Sequence, residues 1–162
     1  GLKISESEGG ITISGSVYSK AEYAVDDFIG HLETEMEGTY TVDGKTYTVD
    51  IDLEYTMWEG QGDVKLNAIR GLPPKSGSFF RSNAQHGGSK IELSMLEKNI
   101  QTIATHEFMH ILGFGDTYTD VTKADGSLTS ITMPGHENDI MGSTSGKIQD
   151  YHIKVLLDNY GK

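Results

Sequence analysis

One short run of the chain carries the types and the spacing for chemistry: His106-Glu107-Phe108-Met109-His110-Ile111-Leu112-Gly113-Phe114-Gly115-Asp116. On a helix, residues four apart share a face one turn apart, so both imidazoles of the H-E-x-x-H core can reach one cation. Neutral imidazole suits Zn²⁺, and Glu107, beside the first His, is placed to act on a water that the metal activates. Gly113 is expected to end the helix in a left-handed turn that a side chain with a Cβ resists. The chain then doubles back and offers Asp116 as a third ligand, leaving the fourth position open for water. That is the composition of a catalytic zinc site and not of a closed structural one.

Other readings of the same residues stay open. His106 and His110 can be ordinary half-buried helix histidines. Asp116 can be a loop or capping residue, in which case His136 or Glu137 supplies the third ligand. His86 reads as a loop residue, and His31 and His152 as surface or satisfied groups on helices. Asp116, Asp120 and Asp125 invite calcium, but their spacing does not match an EF-hand loop, so calcium is the lesser expectation.

The elements that must position these residues are legible in outline. Gly10 to Tyr18 alternates apolar and polar and reads as a strand. Ser19-Lys20-Ala21-Glu22 has the pattern of a capping box opening a helix to about Met36, with Ala21, Ala24, Val25, Phe28, Ile29 and Leu32 on one face. Asp43-Gly44 is a hairpin turn pair between Thr39–Val42 and Lys45–Met57, and Tyr47, Val49, Ile51, Leu53 and Tyr55 share one strand face. Trp58 and its neighbours read as the end of that core strand. Val64–Ile69 and Lys90–Leu93 are further strands, with a short edge strand expected near Phe79–Ser82. Ser94-Met95-Leu96-Glu97 is a second capping-box pattern, expected to start the His106/His110 helix. A hairpin is expected at Asp125-Gly126, and a terminal helix from near Lys147. The order predicts one α+β domain over residues 1–162, with the metal helix packed beneath a mixed sheet.

Composition narrows the partners. At 162 residues the chain can bury a core without staples, and its 20 Gly with 36% hydrophobic content predict a loop-rich fold. A net charge of −11 argues against nucleic acid, whose phosphates need a basic face. The absence of cysteine excludes disulfides, a thiol nucleophile and thiolate ligands. No apolar run approaches a membrane-spanning length, so a soluble chain is expected. It opens on Gly1-Leu2-Lys3 with no leader pattern and is read as a mature or dissected segment.

The eleven-residue run resembles the extended zinc signature of the metzincin metallopeptidases, with Asp116 where most of the clan has His, as in its small snapalysin-like branch. Asn138-Asp139-Ile140-Met141-Gly142 resembles the Met-turn of that clan, whose methionine floors the zinc ligands. The resemblance implies a small twisted mixed sheet with a backing helix and an active-site helix in an upper subdomain (about 1–113). A short C-terminal subdomain (about 114–162) would hold the Met-turn and a closing helix. It implies a secreted or exported monomeric zinc endopeptidase, with His106, His110 and Asp116 on the metal, Glu107 as general base and acid, and Met141 beneath. A peptide or protein substrate would pair along an edge strand between Phe79 and Leu93. Some metzincins carry a Tyr two residues after the Met-turn methionine; Ser143 stands there, leaving Tyr118 or Tyr151 to reach the site from elsewhere. The competing readings are a peptidase toxin module of a larger secreted polypeptide, a non-catalytic zinc-containing peptide-binding domain, and a gluzincin-like site using Glu137.

Overall fold

The computed structural model describes residues 1–69, 83–84 and 88–160. The expected edge strand at Phe79–Ser82 and His86 lie outside the described residues. Within them the chain is α+β: a curled mixed sheet, three helices and a small separate hairpin.

The sheet is built from β1 (Lys3–Ser7), β2 (Gly10–Tyr18), β3 (Gly38–Val42), β4 (Lys45–Thr56), β5 (Val64–Ile69), β6 (Asn83–Ala84) and β7 (Lys90–Ser94). Its order is β3-β4-β2-β5-β7-β6, with β1 also on β2. β2, β4, β5 and β7 run parallel, while β1, β3 and β6 pair antiparallel. β2 is central. Along one edge it pairs with β4 from Gly10↔Thr48 to Tyr18↔Thr56; along the other, β1 occupies its start and β5 its last two residues. Parallel neighbours need a crossover, and helix α1 (Glu22–Met36) supplies it between β2 and the β3–β4 hairpin. Asp43 and Gly44 both have positive φ (50° and 79°), the conformation a tight two-residue hairpin turn demands.

Alternation sets the core. Tyr47, Val49, Ile51 and Leu53 of β4 are buried between exposed neighbours, and Ile11, Ile13 and Val17 of β2 are fully buried. α1 covers β4 with Ala24, Val25, Phe28 and Leu32; helix α2 (Ile100–Ile111) lies against β7 and β6. The two helices meet where Phe28 packs edge-on against Phe108, ring centroids 6.1 Å apart. Each such ring, fully buried, contributes about 1.5–3 kcal/mol. The helix that carries His106 and His110 is therefore clamped on its far side by packing alone. Polar contacts add to the clamp: buried Glu35 of α1 accepts from Gln101 of α2 at 2.6 Å and from Lys147 at 3.1 Å.

Several expectations are corrected. β1 is an additional strand, and β4 stops at Thr56, leaving Met57 and Trp58 exposed. Neither expected capping box forms. α1 starts after Ala21, because β2 pairing holds the chain in the sheet to Tyr18. α2 starts after Asn99, because Ser94 is still paired with Ile69 and Met95 N–H donates to the Ile69 carbonyl at 2.9 Å. Helix α3 is Asp150–Tyr160, three residues later than expected. Its start is capped by His152, whose Nδ1 accepts Gln149 N–H at 2.8 Å while His152 N–H donates to the Gln149 carbonyl. That is one half of a capping box, with imidazole in the usual Glu/Gln role; the Gln149 side chain points elsewhere, donating to the Asn138 and Lys147 carbonyls. No helix among the described residues is long and apolar enough to cross a membrane.

Candidate metal centre

α2 ends in a turn that does two jobs. Gly113 takes φ +105°, with its N–H on the His110 carbonyl (3.0 Å) and the Phe114 N–H on the Met109 carbonyl (3.0 Å). This double closure is a Schellman motif, and glycine is there because L side chains resist the backbone. The turn presents the Phe114 carbonyl to His110 Nδ1 at 2.7 Å. Two residues later it delivers Asp116, whose Oδ1 lies 2.9 Å from His110 Nε2 and 3.0 Å from His106 Nε2. His106 Nδ1 is aimed by a different element, donating to the Ile140 carbonyl at 3.0 Å.

A carbonyl only accepts, so both Nδ1 atoms carry the proton and both Nε2 atoms face the carboxylate. Three donor atoms, two nitrogens and an oxygen, thus converge within 4.8 Å of one another. Around one zinc with bonds of about 2.0–2.1 Å, tetrahedral ligand atoms sit roughly 3.3–3.4 Å apart, close to the spacings here. The donor set fits zinc. Burial works against charge on His106, but its bonds to Asp116 and the Ile140 carbonyl raise its pKa. Burial would raise the Asp116 carboxyl, but the His106 bond and the positive field of both imidazoles hold it below the usual range. An anion held between two imidazoles is where a shared cation gains most.

Glu107 lies beside them, 6% exposed. Its Oε2 is buried without a hydrogen-bond partner among the described residues. Burial pushes the Glu107 pKa up to about 7, against the pull of His106 and with help from Asp116 and Glu97. A buried, unsatisfied carboxylate is costly, so its presence calls for a use.

The segment 138–142 adjoins the cluster through the Ile140 carbonyl. Met141 is fully buried, its carbonyl takes the Thr117 N–H (3.0 Å), and the Thr132 hydroxyl donates to the Gly142 carbonyl (2.8 Å). These bonds tie the turn to the hairpin of β8 (Tyr118–Thr122) and β9 (Leu128–Thr132). Asp125, at the hairpin tip, is committed to Ser127 N–H and hydroxyl at 2.9 and 2.6 Å. A cleft of about 410 Å³ opens between α2, the hairpin and the Met-turn, with His106, Glu107, Tyr118, Thr132 and Ser143 on its walls.

The structure therefore brings together His106, His110 and Asp116, with Glu107 and Met141 adjacent in sequence or space. It does not bring in His136 or Glu137: His136 Nδ1 is 2.8 Å from Asp139 Oδ2, and Glu137 accepts Gly135 N–H at 3.3 Å. Of the two tyrosines, Tyr118 lines the cleft with its ring 6.1 Å from that of His106, whereas the Tyr151 hydroxyl bonds to Asp139. The carbonyls of Phe114 and Ile140 that orient the imidazoles leave no mark in sequence. Compared with known proteins, the chain matches no family model and no curated relative.

Proposed function

We propose that this chain is a zinc-dependent endopeptidase of the metzincin type, acting on an extended peptide or protein. The observation that carries the reading is Glu107, a buried carboxylate with an unpartnered oxygen beside three convergent donor atoms. A structural metal site, or a domain that only binds peptides, has no need of such a group and would be more stable without it.

His106, His110 and Asp116 would hold the ion. Zinc held there would lower the pKa of a coordinated water toward neutrality and polarise the scissile carbonyl. Glu107, buried beside the donor cluster with an oxygen that no described residue bonds, is placed to accept a proton from that water and return it to the leaving amine. Tyr118, on the cleft wall beside His106, is assigned as the donor to the carbonyl oxygen in place of the tyrosine missing at Ser143. Among the described residues β6 is the outermost strand on the side of the sheet near α2, and such an edge suits main-chain pairing with an extended substrate.

The test is hydrolysis of a denatured, quenched-fluorescent protein with and without a zinc chelator, with Glu107→Ala in parallel. The proposal expects cleavage that chelation abolishes and zinc restores. It also expects a loss of about 10²–10⁴-fold in Glu107→Ala at unchanged zinc content. Cleavage that survives chelation, or that Glu107→Ala retains in full, would sink it.

A further inference from the structure

Asp139 precedes the Met-turn methionine by two residues and is 2% exposed. Its Oδ1 accepts Met141 N–H at 2.8 Å, and its Oδ2 accepts His136 Nδ1 at 2.8 Å and the Tyr151 hydroxyl. His152 Nε2 lies 3.1 Å from Oδ1, out of line for a hydrogen bond. Because His152 Nδ1 accepts Gln149 N–H, the neutral ring carries its proton on Nε2, facing the carboxylate. Three pieces of chain thus meet on one buried carboxylate: the loop carrying His136, the Met-turn, and the first turn of α3. None of the donors is a Lys or Arg. Burial would raise the Asp139 carboxyl, but the bonds from Tyr151, Met141 N–H and His136 outweigh it and hold the group below its ordinary range.

Asp139 touches none of the three donors of the metal cluster. It reaches them through the backbone. The carbonyl of Ile140, flanked by Asp139 itself and by the Met141 N–H that Asp139 grips, is the acceptor that aims His106 Nδ1. Ile140 N–H is held by the Lys147 carbonyl at 3.0 Å, and the Met141 and Gly142 carbonyls take bonds from Thr117 and Thr132; the Asp139 bond to Met141 N–H fixes the peptide plane that carries the Ile140 carbonyl.

We propose that Asp139 is a positioning residue of the metal centre, fixing the His106 imidazole by locking the Ile140 carbonyl between the Met-turn and α3. The inference rests on the reading that His106, His110 and Asp116 hold zinc. Loss of an outer partner of a ligating His commonly weakens metal binding 10–100-fold. In Asp139→Asn one oxygen can still accept Met141 N–H, but an NH₂ replaces the acceptor shared by His136 and Tyr151.

The experiment is a competitive zinc titration of the full chain, with the visible absorption of the Co²⁺-substituted protein as a second readout. Asp139→Asn is expected to bind zinc 10–100-fold more weakly than the parent and to alter the Co²⁺ bands. Tyr151→Phe, which removes one donor and keeps the carboxylate, should move both in the same direction by less. Ile51→Val is the control: it lowers the melting temperature from the buried face of β4 and should leave zinc affinity and the Co²⁺ spectrum unchanged. Parental affinity and spectrum in folded Asp139→Asn would overturn the inference, whatever its melting temperature. If that variant fails to fold, parental values in Tyr151→Phe overturn it instead. A parent that takes up no zinc overturns the metal reading itself, and this inference with it.

Discussion

Replacing Glu107 by Gln should stabilise the metal-free protein at neutral and alkaline pH relative to its effect at pH 4. The carboxyl titrates near 4.5 when the chain is unfolded and near 7 when it is buried in the fold. Below pH 4.5 it is protonated in both states and contributes nothing. Between 4.5 and 7 the unfolded chain ionises first, so stability falls as pH rises, and above 7 the full cost is present. The two values lie about 2.5 apart, and each step of one is worth about 1.4 kcal/mol, giving a penalty of about 3 kcal/mol. Gln carries no such penalty. Any fixed cost of burying its amide is the same at every pH and cancels when the two ends of the range are compared. Urea unfolding of both proteins in chelator, from pH 4 to 8.5, should therefore show the Gln variant gaining about 3 kcal/mol on the parent across the range. In a thermal scan the gain is on the order of 10 °C for a chain of this size. Parallel stability curves would refute the claim that Glu107 is held as a buried, poised base.

The other predictions concern the turns and ligands around it. Gly113→Ala forces a Cβ onto a backbone at φ +105° and should cost about 1–2 kcal/mol by thermal melting. It should also weaken zinc binding, because the same turn aims His110 and delivers Asp116; unchanged values in both assays would contradict this. Gly146→Ala would drive its Cβ into the Asp139 carbonyl and should lower stability by about 1–3 kcal/mol in urea unfolding. Tyr118→Phe should reduce kcat by about 10–100-fold with KM and zinc content unchanged, and an unaltered kcat would remove Tyr118 from the reaction. Asp116→His, loaded with zinc, should be modestly more active, since imidazole donates less charge than carboxylate; a large rise or a total loss of activity would count against this.

The convergence of His106, His110 and Asp116 was legible because its geometry is local. The His106–His110 spacing, the Gly113 turn and Asp116 all fall within three helical turns and one loop, where sequence separation maps directly onto space. β4 and α1 were legible for the same reason, since their periodicity states which face is buried. The two misread capping boxes share one cause. Ser19 and Ser94 have the right neighbours for capping boxes, but β2 and β7 keep that backbone in the sheet, which only the pairing register reveals. The cap that does form, His152 on Gln149, has no Ser or Thr to announce it. Lys3–Ser7 offers a single buried residue, Ile4, too little alternation to mark β1. Asp139 was hidden most deeply. Its partners come from three separate segments, and beside Asn138 it passes for an ordinary turn residue.

X-ray absorption at the zinc edge, on the parent and on Asp116→Ala, tests most directly the claim that His106, His110 and Asp116 hold one metal with a position left open. The account predicts one zinc per parent chain, with two imidazoles and light oxygen ligands at about 2.0–2.1 Å, and a shell that changes or empties when Asp116 is removed. No zinc uptake by the parent, or a shell identical in the two proteins, would contradict it.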